Sequence, residues 1–129
     1  MTKEESFSIT NTTRNSIPPV DFLKLKTAVL GENYSLSLVF IGAKKSKELN
    51  NSYREKNKPT NILSFPLDKK TGEIFINLEL AKKESKLFDR KPDNFVAFLF
   101  IHGLFHLKGM EHGSTMERAE TKLRKKFSI

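Results

Sequence analysis

The chain has 129 residues, of which 37% are hydrophobic and 29% are charged, so we expect residues 1–129 to form a single domain with one hydrophobic core. The absence of cysteine excludes disulfides and thiolate metal sites. The net charge of +8 favours a polyanionic partner, with nucleic acid as the first candidate, although an unspecialised basic surface explains the charge alone equally well.

Hydrophobic patterning predicts nine elements in the order strand, helix, strand, helix, strand, strand, helix, helix, helix. In chain order they cover residues 6–12, 20–30, 35–41, 44–56, 61–65, 73–77, 78–88, 95–107 and 116–127. This order indicates an α+β (α/β-like) fold. We expect a small mixed four-stranded sheet packed with about five helices.

Local signals predict further details of these elements. Leu49 and Tyr53 lie one turn apart and predict the inward-facing stripe of the second helix. Pro66 should stop the third strand, and the turn at residues 69–72 predicts a hairpin to the fourth strand. Asp93 is the expected N-cap of the fourth helix.

The helix at residues 95–107 is apolar on nearly every face, so it should be the buried central helix. His102 and His106 are four residues apart and therefore share one helical face. Gly109 allows a left-handed turn that brings His112 back toward them. Three imidazoles suit zinc and leave a fourth position open, as in catalytic sites. The alternative is a set of core histidines satisfied by backbone groups, which is harder because each unpaired buried polar group costs about 1–3 kcal/mol.

The histidine spacing also resembles the H-E-x-x-H-x-x-G-x-x-H motif of the metzincin proteases, and Gly109 matches its glycine. However, Gly103 stands where a metzincin has the glutamate that acts as general base. This difference argues against peptide hydrolysis. A purely structural metal would normally need a fourth protein ligand, for which Glu111 is the nearest acidic candidate.

Two stretches carry a resemblance to a known family. The first is HGLFHLKGMEH at residues 102–112, and the second is LNNSYREKNKPTNILSFP at residues 49–66. They are similar to the H-G-x-L-H-L-x-G-y-D-H signature and the L-N-x-x-Y-R-x-K-x-x-P-T-D-V-L-S-F-P box of the YbeY family of endoribonucleases. Residues 72–74 also fit the family's G-D-I strand. Two motifs in the correct order make the resemblance specific.

The resemblance implies a single-strand-specific, metal-dependent endoribonuclease. Its expected role is maturation of the small-subunit ribosomal RNA 3′ end and ribosome quality control. The implied cofactor is Zn²⁺, with another divalent transition metal such as Ni²⁺ as the alternative. The implied partners are RNA and the small ribosomal subunit, with a ribosomal protein and a ribosome-assembly GTPase as further candidates. No DNA or membrane partner is expected.

Carried over by position, the family's zinc ligands fall on the three histidines His102, His106 and His112, and its phosphate-facing arginine falls on Arg54. A guanidinium suits that role because it can pair with a phosphate through two hydrogen bonds. Three further candidates for substrate contact are Lys56, Lys58 and Asn61, although solvated lysines are an equally good interpretation of the first two.

The sequence departs from the family pattern at several positions of the two motifs. Asn61 stands where the family usually has aspartate, which removes one negative charge, and Glu111 replaces another aspartate. Leu104 and Phe105 vary the middle of the first motif.

Two other function classes remain open. One is a non-catalytic, ribosome-associated RNA-binding protein with a structural metal, and the other is a zincin-like metallohydrolase. The N-terminal sequence MTKEESFSITN lacks the apolar segment of a signal peptide. The longest apolar run is also too short for a membrane span. We therefore expect a cytoplasmic location.

Overall fold

The structure is a computed structural model that describes residues 6–129. Over these residues the chain forms four strands and five α-helices in the predicted order. In chain order they are β1 (Phe7–Asn11), α1 (Phe22–Leu30), β2 (Ser35–Ile41), α2 (Ala43–Arg54), β3 (Ile62–Asp68), β4 (Thr71–Asn77), α3 (Leu78–Glu84), α4 (Pro92–Leu107) and α5 (Ser114–Lys126). A short 3₁₀ segment, Ser85–Phe88, follows α3. The predicted α+β fold is confirmed.

The four strands form one mixed sheet in the order β1-β2-β4-β3. β1 and β4 both run parallel to β2, whereas β3 pairs antiparallel with β4 through the predicted hairpin. The prediction that Pro66 stops β3 is wrong, because the strand continues to Asp68 with a register shift after the proline. Proline is tolerated there because β3 is an edge strand, whose outer side has no neighbouring strand in this sheet.

Helix α4 is the buried central element, as its composition predicts. Ten of its sixteen residues are buried. Phe100 is fully buried against Phe22 of α1, with the ring centroids 5.1 Å apart in an edge-on arrangement. On the sheet side, α4 packs on β3 and β4, where Ile74 and Ile76 are fully buried. This packing holds the residues of α4 in fixed positions relative to the edge hairpin.

The N-terminus of α4 lies earlier than predicted. The helix begins at Pro92, so Lys91 is the N-cap and Asp93 is in the first turn. Proline suits the first helical position, since it has no N–H to leave unpaired there. The N-cap prediction for Asp93 is therefore wrong.

The inward face of α2 also differs from the prediction. Ser46 and Asn50 are buried, Leu49 is half-buried, and Tyr53 is 68% exposed. The Ser46 hydroxyl donates to the carbonyl of Thr60 at 2.7 Å. The polar face of α2 packs inward because the side chains of Ser46 and Asn50 hydrogen-bond to the backbone before β3. Tyr53 is not on this buried face.

The two faces of β3 contact different helices. Successive side chains of a strand point to opposite faces of the sheet. Ile62 and Ser64 of β3 lie against Gly103 of α4, whereas Phe65 contacts Tyr53 of α2. At the hairpin, α4 and Tyr53 of α2 therefore contact opposite faces of β3. Within residues 6–129, no helix is both long and apolar enough to cross a membrane.

Candidate metal centre

The three histidines converge at the C-terminal end of α4. His102 and His106 lie on one face of the helix, and their Nε2 atoms are 3.0 Å apart. His112 belongs to the loop between α4 and α5. Gly109 has a φ of +98°, the left-handed turn that lets this loop fold back. One ring nitrogen from each histidine lies within 4.8 Å of the others.

This donor set fits a divalent transition metal. Zn–N distances of about 2.0–2.1 Å place tetrahedral ligand atoms roughly 3.3 Å apart. The Nε2 atoms of His102 and His106 are already near that separation, and a ring nitrogen of His112 lies within 4.8 Å of the nitrogens of both. Among the described residues, no cysteine or carboxylate joins these three within the same distance. Three imidazoles with an open position are typical of catalytic rather than structural zinc sites.

A buried carboxylate contacts Nδ1 of His102, the ring nitrogen that does not face His106. Oε2 of Glu120 lies 2.8 Å from Nδ1 of His102. Glu120 is 6% exposed and comes from α5. This contact favours the tautomer with the proton on Nδ1, which leaves the lone pair of Nε2 directed toward the other histidines. Histidines that bind metals commonly have such a carboxylate partner.

The sequence analysis missed Glu120 and named Glu111 as the nearest acidic candidate. Glu111 is exposed in the loop. The overlooked signal is that Met116 and Glu120 are four residues apart and both buried, so the carboxylate lies on the apolar face of α5.

The environment of His106 favours its neutral imidazole form. Burial lowers the pKa of His106, and the charges that His102 and His112 carry when protonated lower it further. The backbone of Met110 and the carboxylate of Glu120 act in the opposite direction, but burial is the largest cause. Because metal binding requires the neutral ring, His106 is prepared to bind a cation at neutral pH.

The histidines line a cleft of about 920 Å³ that also contains Arg54. Arg54 is the last residue of α2, and the helix ends there because Glu55 adopts a left-handed conformation with φ of +55°. The cleft is bounded by β3 on one side and by α4 and α5 on the other. The structure therefore brings Arg54 and the histidines to one cavity, although about fifty residues separate them in the sequence.

The remaining predicted contacts divide into two groups. Asn61 lines the cleft, and its Nδ2 atom donates to Oε1 of Glu84 at 2.8 Å. Lys56 and Lys58 are exposed and lie outside the set of described residues that line the cleft. The carbonyl of Lys58 instead accepts a hydrogen bond from Nδ2 of Asn50 at 2.9 Å, which holds the loop before β3 against α2.

Another part of the cleft lining is formed by Phe98 and Arg124. The guanidinium carbon of Arg124 lies 4.9 Å from the centre of the Phe98 ring, and that of Arg90 lies 4.5 Å from it. Such distances are typical of cation–π contacts. This part of the cleft therefore combines an apolar aromatic ring with positively charged guanidinium groups.

Gly103 fixes the distance between α4 and β3. A Cβ atom on this residue would lie 2.8 Å from Oγ of Ser64 and 2.9 Å from Cδ1 of Ile62. Any side chain would therefore require the side chains of Ser64 and Ile62, or the helix itself, to move. A metzincin-type glutamate has no room at this position without such a movement, so the geometry agrees with the argument against peptide hydrolysis.

Comparison with known proteins gives one consistent result. The model of the family described as Endoribonuclease YbeY matches residues 2–128. A protein named Endoribonuclease YbeY from Aster yellows witches'-broom phytoplasma is 34% identical, and the match covers 84% of this chain and 82% of the relative. The Campylobacter jejuni (strain 81-176) protein of the same name is 32% identical over 84% and 87% of the two chains.

The fold also resembles that of a solved structure. A protein from Thermotoga maritima, determined in solution, superposes with a TM-score of 0.65 and 20% identity over 90% of this chain and 85% of that one.

Proposed function

Since the chain belongs to the Endoribonuclease YbeY family, we propose that it is a metal-dependent endoribonuclease that hydrolyses phosphodiester bonds in single-stranded RNA. The observation that carries the proposal is the shared cleft of Arg54, His102, His106 and His112. A phosphate-binding cation next to a candidate metal site is the arrangement that phosphodiester cleavage needs.

Arg54 has the task of binding the phosphate. Its guanidinium can donate two parallel hydrogen bonds to the phosphate oxygens. These bonds strengthen as negative charge accumulates on the phosphate during the reaction, so they stabilise the transition state more than the bound substrate. The position of Arg54 at the end of α2, exposed toward the cleft, leaves the side chain accessible to a strand of RNA.

His102, His106 and His112 would hold the metal ion. When bound, a divalent ion supplies Lewis acidity, which polarises a phosphoryl oxygen and lowers the pKa of water toward about 7. Glu120 fixes the ring orientation and tautomer of His102 through the 2.8 Å contact. We propose Zn²⁺ as the ion because imidazole ligands suit it, with Ni²⁺ as the alternative.

The cellular role is the finer part of the proposal. The family resemblance supports cleavage at the 3′ end of small-subunit ribosomal RNA, in the cytoplasm, with the small ribosomal subunit as partner. The net charge of +8 supports a polyanionic partner of this kind. Arg54 and Asn61 are the proposed contacts to the substrate within the cleft.

The proposal is tested by RNA cleavage together with metal analysis. Purified protein is assayed on a labelled single-stranded RNA as isolated, after chelation, and after addition of Zn²⁺ or Ni²⁺. We expect chelation to abolish cleavage and one of the metals to restore it. Elemental analysis should find about one metal ion per chain in the wild type and a large loss in His106→Ala.

Variants separate the phosphate role from the metal role. Arg54→Ala should lower kcat by about 10²- to 10³-fold, as for loss of one transition-state donor, while retaining the metal. Arg118→Ala, an exposed arginine of α5 outside the cleft lining, is the matched control and should cleave as the wild type does. Equal cleavage by Arg54→Ala and wild type would show that the phosphate role is wrong.

A binding measurement with the same RNA, added to the cleavage assay, tests the rival RNA-binding function. RNA binding without cleavage in every metal state would favour an RNA-binding protein with a structural metal. A 2′-deoxy substitution at the cleaved nucleotide distinguishes the two routes of attack, since only attack by the 2′-OH requires that group and leaves a cyclic phosphate.

A further inference from the structure

Tyr53 is an exposed aromatic residue that adjoins the cleft through its contact with Phe65. Its side chain is 68% exposed, although the helical spacing predicted that it faces inward. It precedes Arg54, and its ring centroid lies 4.9 Å from that of Phe65, a residue that lines the cleft. An exposed aromatic ring that packs on a residue of a functional cavity is available for contact with a ligand.

The ring of Tyr53 is supported from below. Phe65 packs on Phe75 of β4, with the ring centroids 5.7 Å apart and the planes at 68°. Phe65 pairs with Glu73 across the hairpin, so Phe65 and Phe75 are diagonal neighbours on the same face of the sheet. Three aromatic rings therefore form a continuous series from the sheet to solvent, and Tyr53 is the outermost of them. The ring has a fixed base and an accessible outer surface.

The other exposed aromatic positions near the cleft are less suitable for a ligand. Phe98 lines the cleft, but Arg90 and Arg124 already contact its ring. Phe88 is 52% exposed and, like Tyr53, is not itself a lining residue, and the cleft residue that it contacts is this same Phe98, at 5.9 Å. Within the described residues, Tyr53 with Phe65 is the aromatic pair that combines an accessible ring with a position beside Arg54.

We propose that Tyr53 and Phe65 form a stacking platform for one unpaired base of the RNA substrate, next to the phosphate that Arg54 binds. This inference rests on the proposed function and specifies how the cleft recognises single strands. Proteins that bind single-stranded nucleic acid combine cations that contact the backbone with aromatic rings on which bases stack. A base in a duplex is already paired and stacked between neighbours, so it cannot occupy the platform without disrupting the duplex.

The platform is tested by an abasic scan of the substrate. A series of single-stranded RNAs is prepared, each lacking one base near the cleavage site, and kcat/KM is measured for the metal-loaded protein. We expect removal of one particular base to lower kcat/KM of the wild type by about 5- to 100-fold, the range known for base–aromatic stacking. In Tyr53→Leu the intact RNA should suffer the same loss, and removal of that base should then have little further effect.

Two variants serve as controls for this experiment. Tyr53→Phe retains the ring and should keep most of the abasic penalty. Phe88→Leu removes an exposed ring that contacts the cleft at Phe98 rather than at Phe65, so its abasic profile should match that of the wild type. Thermal melting of each variant checks the fold, and Tyr53 is exposed enough that its replacement should leave the melting temperature unchanged.

Failure of the platform and failure of the proposed function have different signatures. If the wild type cleaves RNA but no abasic position carries a penalty, or if Tyr53→Leu keeps the wild-type penalty, the platform is wrong and the function stands. If the wild type does not cleave RNA, fluorescence anisotropy with the same abasic series gives the binding penalties. A penalty in binding that Tyr53→Leu abolishes would then support the platform without the activity. Absence of both cleavage and binding would overturn both proposals.

Discussion

The carboxylate of Glu120 lies 2.8 Å from Nδ1 of His102, although the two residues are on different helices and 18 positions apart. Glu120 is buried, so its charge has been removed from water at a considerable cost. The contact with His102 offsets part of that cost and fixes one imidazole of the candidate metal centre. Helix α5 is therefore coupled to the centre, although the three histidines lie outside it.

The first prediction concerns the metal affinity that depends on this contact. Loss of such a partner typically weakens metal binding by about 10- to 100-fold. Glu120→Ala leaves Nδ1 of His102 without a partner and should lie at the upper end of that range. Glu120→Gln retains an acceptor but loses the charge, and should lie at the lower end. Competition with a chromogenic chelator measures both affinities.

Glu111 provides the control for that experiment, because it is the acidic residue nearest to His112 in sequence. Because Glu111 is exposed, Glu111→Gln should change the metal affinity by less than about threefold. This change is smaller than the range of about 10- to 100-fold expected for the Glu120 variants. A larger effect at Glu111 than at Glu120 would show that the exposed loop carboxylate is the true partner of the site.

The second prediction concerns pH and the metal-free protein. Burial lowers the pKa of His106 in the folded state below the ordinary value of 6.5. The unfolded chain therefore binds a proton at this residue at a higher pH than the folded chain does. Stability from His106 is fully present above about pH 6.5 and is lost as the pH falls toward the folded pKa. In the presence of a chelator, the urea midpoint should decrease between pH 7.5 and pH 5.5.

His106→Gln tests whether this residue causes the pH dependence. The variant has no titrating group at position 106, so its urea midpoint should change less over the same interval. Identical pH profiles for the two proteins would assign the effect to other groups.

The third prediction concerns the close approach at Gly103. Addition of a methyl group in Gly103→Ala overpacks the contact with Ser64 and Ile62 and should destabilise the fold by about 1–3 kcal/mol. Either the side chains of Ser64 and Ile62 shift or α4 moves, and a movement of α4 also displaces His102 and His106. Urea unfolding measures the stability, and chelator competition measures the effect on the metal centre.

A second substitution checks the cause of this loss. Ile62→Val removes the Cδ1 atom that would lie 2.9 Å from the new methyl group. In a double-mutant cycle, Gly103→Ala should cost less in the Ile62→Val background than in the wild type. Purely additive effects would show that the strain arises elsewhere.

The order of elements and the buried position of α4 could be predicted from the sequence. Both follow from local patterning, since a helix such as α4 that is apolar on nearly all faces has to be buried. The convergence of His102, His106 and His112 was predictable for the same reason, because the spacing of four residues and the turn at Gly109 are local features.

The position of Tyr53 and the role of Glu120 could not be predicted in this way. Helical spacing marked Leu49 and Tyr53 as one face, but the face that packs inward is set by hydrogen bonds from Ser46 and Asn50 to the loop before β3. Glu120 is an acidic residue, which composition alone places in solvent. The spacing from Met116 marks the helical face of Glu120, but its burial depends on a partner from α4, and tertiary structure sets that partner.

The last prediction concerns Asn61, which stands where the family usually has aspartate. Its Nδ2 atom donates a hydrogen bond to Oε1 of Glu84 at 2.8 Å. The amide is uncharged, but it gives the Glu84 carboxylate a hydrogen-bond donor. Asn61→Asp replaces the donor by a second carboxylate, and the two acids repel unless they share a proton. We expect a loss of about 1–3 kcal/mol in the free energy of unfolding at pH 7, as for a broken hydrogen bond to a charged group. Because protonation relieves the repulsion, this loss should shrink as the pH is lowered toward 5.

Glu84→Gln restores a donor opposite Asp at position 61, so the double variant should recover most of the stability in urea unfolding. A loss that persists unchanged in the Glu84→Gln background would show that the pair of side chains is not its cause.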